Sequence, residues 1–325
     1  MRIPDLREQS AGVAPRSAVA AAEWPSVGVV IATRARPNLV RRALTSVLSQ
    51  EYPGPMRVVV VFDHTQPDWS LSRSGTRPVL VLENWRTPGL AGARNTGILA
   101  AGDCDWVALC DDDDTWASEK LTAQIEAVLA EPGRHFGTCA AEIEYDGRRT
   151  ARLVGAGAVT LDAVSRGVAH ALTPSGFVAR HDVLVRSPRR GGIGLLAEDG
   201  PPGGAEWDLL MRAARCAPIA HVDEPYVRVL WRPAATDAAA TLRILRWMSD
   251  RHAELRTPGR PAARHLAEIA CWEAVSGHRS RGLAYAQAAL RYRPEPLTLL
   301  ALAAVLGLVR GRPLRARLRR HHLIP

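Results

Sequence analysis

Short unbroken runs of β-branched residues alternate, in the first half of the chain, with segments whose apolar positions recur every three or four residues. Residues 27–32 (VGVVIA), 57–62 (RVVVVF), 78–82 (PVLVL) and 105–110 (DWVALC) lack polar alternation, which is the pattern of strands buried on both faces. Pro37 opens a helix over residues 38–50 that gathers Leu39, Ala43, Leu44, Val47 and Leu48 on one stripe, and the Y-P-G-P at 52–55 stops it. The small-residue-rich stretch at 89–102 and residues 117–130 also read as helical. Strands and helices alternating at this spacing predict an α/β domain with a mostly parallel sheet covered by helices. Such sheets bind ligands beyond the carboxyl ends of their strands. The residues to inspect are therefore Thr33 to Arg36, Asp63 to Thr65, and Asp111 to Asp114, where three of the runs end.

From about residue 235 the pattern changes to Ala, Leu and Arg at helical spacing, over 263–275, 282–292 and 297–309. Small residues at packing positions in 270–277 and 284–294, with a closing Pro294, loosely match one helix-turn-helix repeat unit. The expected organisation is an arm at 1–24, an α/β domain at 25–234 and a helical, basic region at 235–325.

With 325 residues, 47% of them hydrophobic, the chain can bury a full core. No apolar run reaches the roughly 20 residues needed to span a bilayer, and the first residues lack the apolar centre of a secretory leader. A soluble cytoplasmic protein is expected. Five cysteines without any C-x-x-C pair argue against a disulfide framework or a zinc site.

The net charge of +9 is unevenly spread: residues 1–225 hold 24 Lys and Arg against 27 Asp and Glu, and residues 226–325 hold 18 against 6. A balanced-to-acidic first part repels phosphate except through a metal, which disfavours nucleic acid as a partner. The arginines at 310, 312, 315, 317, 319 and 320 follow an apolar segment. They form either a solvated face or a basic amphipathic segment in peripheral contact with an anionic inner membrane surface.

Four consecutive aspartates, Asp111, Asp112, Asp113 and Asp114, stand directly after an apolar strand. Neighbouring carboxylates repel unless a cation or water compensates them. A hard ion such as Mn²⁺ or Mg²⁺ takes one or two carboxylates together with substrate phosphates, which would make a diphosphate site. A solvated acidic loop, or a helix cap formed by Asp114 or Thr115, is the plainer alternative.

The order of strings narrows the choice. A strand ending in T-R-A-R-P is followed by S-V-L-S-Q-E-Y-P at 46–53, a strand ending in Asp63, A-R-N-T-G at 93–97, and D-D-D-D-T-W at 111–116. Over roughly residues 26–135 this resembles the family 2 glycosyltransferases, inverting enzymes of GT-A fold that use a nucleotide-diphosphate sugar as donor. The resemblance implies that Thr33, Arg36 and Asp63 hold the base and ribose, that Arg94 faces the nucleotide, that Asp112 contacts the ribose side, and that Asp113, flanked by Asp111 and Asp114, ligates the metal. The sequence departs from the family at Phe62, where an acid is usual.

An inverting transfer needs a carboxylate to take the acceptor proton. The family's E-D-x-D-L-x-x-R string is matched by A-E-W-D-L-L-M-R at 205–212, which puts Glu206 on the base position and leaves Asp208 and the pair Glu198-Asp199 as rivals. Ala205 is a second departure. Residues 172–180 (LTPSGFVAR) resemble the segment that lies under the donor sugar and leads back into the sheet. Trp207 and Trp231 offer faces for sugar stacking, whereas the histidines have no metal-ligand spacing. The acceptor is a sugar, a lipid-linked sugar or a small molecule. The competing readings are a nucleotidyltransferase, for which the Gly-rich loop after the first strand is missing, and a non-catalytic binder of nucleotide sugars or of a protein.

Overall fold

The computed structural model describes residues 24–230, 237–292 and 296–308. Ten strands form one sheet. They are β1 (Val27–Thr33), β2 (Met56–Phe62), β3 (Val79–Glu83), β4 (Trp106–Asp111), β5 (Thr115–Trp116), β6 (Phe136–Tyr145), β7 (Arg148–Arg152), β8 (Ala158–Val159), β9 (Val178–Arg180) and β10 (Ile219–Leu230). The main order is β3-β2-β1-β4-β9-β6-β10-β5, with β7 beside β6 and β8 beside β10. β1, β2, β3 and β4 pair in parallel, as do β6 and β10, whereas β9 runs antiparallel between β4 and β6.

The unbroken apolar runs arise because both sheet faces are covered. Along β1, Val27, Val29 and Ile31 enter the core on one face, and Val30 and Ala32 enter the core on the other. On the first face lie α1 (Pro37–Leu48) and α3 (Lys120–Leu129); on the second lie α2 (Leu90–Ala100), α4 (Leu161–Ser165), α5 (His181–Val185) and α6 (Ala205–Cys216). The α/β reading with a mostly parallel sheet holds. A difference appears after the aspartates, where the pattern suggests a helix from residue 117. Thr115 and Trp116 instead pair with β10 and the Ala117 N–H goes to the Tyr226 carbonyl, so α3 starts only at Lys120.

The carboxyl-terminal helices α7 (Ala238–Arg251), α8 (Arg260–Val275), α9 (Arg279–Tyr292) and α10 (Pro296–Val305) share the second core: Leu242, Leu245, Met248, Ala267 and Ile269 belong to the same buried cluster as Val30 and Met211. Small residues let these helices cross closely, since a Cβ on Gly282 would stand 3.2 Å from the Ala270 carbonyl oxygen and 2.9 Å from Val305. Among the described residues no helix is long and apolar enough to cross a membrane. The arm at 1–23, the domain boundary at 234/235, Trp231 and the arginines from 310 onward lie outside the described residues.

α2 sits unusually close to the sheet. A Cβ on Gly97 would come within 2.3 Å of Val30 Cγ1, and such overpacking forces backbone or rotamer shifts. Gly97→Ala is expected to destabilise the protein by about 1–3 kcal/mol, measured as a lower urea midpoint at unchanged slope.

Candidate active site

The chain runs from β1 to β2 and β3 on one side, then returns to place β4 on the other side of β1. The crevice between the carboxyl ends of β1 and β4 is thus the switch point where open α/β sheets bind ligands. Thr33 and Asp112 meet there, and the Thr33 hydroxyl donates to Asp112 Oδ2 at 2.6 Å. Arg36 bridges Asp112 Oδ1 at 3.0 Å and Asp113 Oδ2 at 2.9 Å, and Arg42 of α1 donates to the Asp113 carbonyl at 2.6 Å. Two residues just past the carboxyl ends of β1 and β2 hold positive φ without being glycine, Ala35 at 53° and His64 at 50°, a sparsely populated conformation that clusters at binding sites.

Asp63 is buried, and its Oδ1 accepts from the Asn84 side chain at 2.8 Å and from the Gly89 N–H at 3.1 Å. It therefore fixes the loop leading into α2, whose first residue follows Gly89 at φ 117°.

α2 carries the A-R-N-T-G string, and all five residues are buried. Asn95 exchanges two hydrogen bonds with the Leu196 backbone, at 2.9 and 3.0 Å, and donates to Glu198 at 2.6 Å. Thr96 donates to Asn84 at 2.9 Å. Arg94, only 2% exposed, joins Asp111 at the end of β4 to Glu206 in the first turn of α6. The guanidinium expected to face a nucleotide is thus taken up by two carboxylates. Despite burial, which would lower it, the pKa of Arg94 is raised by Asp111 and Glu206, so its charge is permanent.

The aspartates divide into two kinds. Asp112 and Asp114 are buried; Asp114 accepts from the Ser175 hydroxyl at 2.6 Å, and that oxygen in turn accepts from the Asp111 N–H at 2.8 Å. The grouping of Asp114 with the metal ligands is corrected by this arrangement, since its carboxyl is turned inward to hold the 174–176 turn. It is also no helix cap, because α3 begins behind Glu119. Asp111 and Asp113 keep side-chain exposures of 26% and 28%. Burial, followed by the charges of Asp111 and Asp112, raises the Asp113 carboxyl, the signature of negative charge with too little compensation. Among the described residues no group of three or more His, Cys, Asp or Glu could hold a metal by itself. Two open carboxylates fit an ion of the Mg²⁺ or Mn²⁺ type, which completes its shell with phosphates and water.

The rival bases are tied up. Asp208, 1% exposed, meets Arg212 at 2.8 Å, His252 at 3.1 Å and Arg251 at 3.3 Å. Burial would raise its carboxyl, but the His252 hydrogen bond and the arginines hold it down to about 2. It is a structural anion rather than a proton acceptor, which corrects its assignment as a catalytic candidate. Arg212, the last residue of the same string, also donates to the Gly194 and Leu195 carbonyls, each at 2.9 Å. Glu198 is bound by Asn95 and by Arg86 at 2.5 Å, and Asp199 by Arg251 at 3.2 Å. Glu206 differs: one oxygen takes Arg94, and Oε2 has no hydrogen-bond partner among the described residues.

Glu206, Arg94 and Asp111 border a cavity of about 450 Å³. Leu172, Pro174 and Phe177 form part of its wall, and the segment they belong to returns to the sheet as β9. Trp207 lines it as well. Sequence reasoning missed the far wall, made by His170, by Thr241, Ile244 and Leu245 of α7, and by Glu268 of α8. No motif marks these positions.

Residues 28–183 match the model of the family described as Glycosyl transferase family 2. Over those residues, just under half of the chain, the protein is similar to that family. A curated relative from Haemophilus influenzae, named "Uncharacterized glycosyltransferase", is 29% identical over 94 residues, which cover 29% of this chain and about a third (32%) of that protein. Among solved structures, S. aureus TarS 1-349 in complex with UDP-GlcNAc superposes with a TM-score of 0.59 at 17% identity, covering 91% of this chain and 89% of that one. Its complex with UDP gives 0.55 at 19% identity, covering 92% and 88%. At these identities the structures establish a shared fold.

Asp208→Asn is expected to cost about 3–5 kcal/mol at neutral pH, because two arginines and the His252 hydrogen bond lose a buried anionic partner. The native carboxyl titrates below its ordinary value, so its contribution is present above pH 3.8 and is lost as the pH falls toward about 2. Urea unfolding between pH 6 and pH 2, run on parent and variant, should show their stabilities converging at the acid end.

Proposed function

We propose that the protein transfers a sugar from a nucleotide diphosphate to an acceptor hydroxyl with inversion at the anomeric carbon. The observation that carries this reading is Arg94, which ties the acidic end of β4 to Glu206 in the wall of one cavity. A diphosphate site and a free carboxylate oxygen are thereby held within one arginine's reach of each other.

In this reading Thr33, Arg36, Asp63 and Asp112 receive the nucleoside, and Asp113 with Asp111 holds a divalent cation, whose chemistry is to neutralise the charge that develops on the departing diphosphate. Arg36 already compensates Asp112 and Asp113 and is half exposed, so it can swing to phosphate oxygens, to which its planar fork is suited. Glu206 Oε2 takes the acceptor proton as the acceptor oxygen bonds to the anomeric carbon. The bond from that carbon to the phosphate oxygen breaks, and its electron pair leaves with the nucleoside diphosphate. Arg94 orients Glu206, while Asp208 anchors the helix that carries it. Helices α7 and α8 complete the cavity.

Glu206→Gln is expected to lower kcat by about 10²–10⁴-fold, the usual worth of a general base, with donor affinity unchanged in calorimetry. Equal donor turnover by parent and variant would remove Glu206 from the mechanism, and donor binding without turnover in the parent would make the chain a binder rather than an enzyme. A panel of UDP-, GDP-, TDP- and CDP-sugars should raise the thermal midpoint only with Mn²⁺ or Mg²⁺ present, and EDTA or Asp113→Ala should abolish the rise.

A further inference from the structure

Three buried polar atoms have no hydrogen-bond partner among the described residues and belong to residues lining the same cavity: Glu206 Oε2, Trp207 Nε1 and His170 Nε2. His170 Nε2 stands 3.4 Å from Glu268 Oε1, an ion-pair contact that falls short of an aligned hydrogen bond. The Glu268 side chain is only 4% exposed. The His170 ring packs on Trp207 with centroids 5.5 Å apart, and His265 packs on Trp207 at 5.9 Å, so the polar groups are held rather than free to turn away. Leu172, Phe177, Leu210 and Leu245 supply apolar surface between them.

The wall therefore mixes obligate acceptors, two carboxylates, with an obligate donor, the indole N–H, and with an imidazole that can do either. Unsatisfied buried groups of both kinds are matched most economically by hydroxyls, which donate and accept, and the apolar patches suit the C–H face of a ring. We propose that His170, Trp207 and Glu268 form a hydroxyl-reading wall for a sugar ring, so that a loop and the carboxyl-terminal helices take part in choosing the sugar. This rests on the sugar-transfer reading above. The ring belongs either to the donor or to the acceptor, since both would approach Glu206.

The test is calorimetry on the full chain with Mn²⁺, comparing the parent with His170→Ala and Glu268→Gln. The first probes are UDP against UDP-GlcNAc and UDP-glucose, and GDP against GDP-mannose. The second are the methyl glycosides of glucose, mannose and N-acetylglucosamine, added to the nucleotide-saturated protein. The loss of one hydrogen bond should weaken binding about tenfold. If the ring is the donor's, both variants lose that factor for a sugar nucleotide and bind the bare nucleotide as the parent does. If it is the acceptor's, nucleotides and sugar nucleotides bind unchanged and a methyl glycoside loses the factor. Parent affinities for every probe in variants with unchanged thermal midpoints would overturn the proposal while leaving the sugar-transfer reading standing. Should Glu268→Gln lower the midpoint, His170→Ala carries the comparison. A parent that binds none of the nucleotides would overturn both.

Discussion

A guanidinium with 2% of its surface exposed is stable only when its charge is met, and in this protein that requirement joins parts of the chain more than a hundred residues apart. Arg94 projects from a helix packed against the sheet, Asp111 ends a central strand, and Glu206 opens α6. Each carboxylate fixes the arginine, and the arginine fixes both carboxylates. The end of β4 and the first turn of α6 are thereby tied to each other through one side chain.

Around that centre, charge is compensated locally and in tiers. Arg36 answers Asp112 and Asp113, Ser175 answers Asp114, and Arg212, Arg251 and His252 answer Asp208. The family 2 strings are thus mostly scaffolding. In A-R-N-T-G the asparagine holds the 193–198 loop and the threonine holds Asn84, and in the string at 205–212 the final arginine clamps the carbonyls of the same loop. Among the candidate bases, Glu206 has a buried oxygen with no hydrogen-bond partner among the described residues.

The carboxyl-terminal helices share the core of the second sheet face and contribute Thr241, Ile244, Leu245 and Glu268 to the cavity. A segment that composition marks only as basic and helical proves, over its described residues, to line the cavity beside Glu206. Fold families keep the strand ends and vary what closes over them, and here α7 and α8 are the closure.

The sequence by itself determined the α/β architecture and pointed to the strand ends as the place of the candidate site. Runs such as V-G-V-V-I-A can be buried on two faces in only a few ways, and polar residues collect where such strands stop. It could not tell which aspartate faces outward, because adjacent carboxylates look alike until Ser175 takes one and Arg36 another. Nor could it show that Asp208 is enclosed by Arg212 of its own helix and by Arg251 and His252 at the end of α7, or that Thr115 and Trp116 pair with β10 instead of starting a helix. The cavity's far wall was invisible for the same reason. His170 and Glu268 meet across almost a hundred residues, and a contact of that range carries no local periodicity. Only the tertiary packing of α8 against the sheet domain decided it.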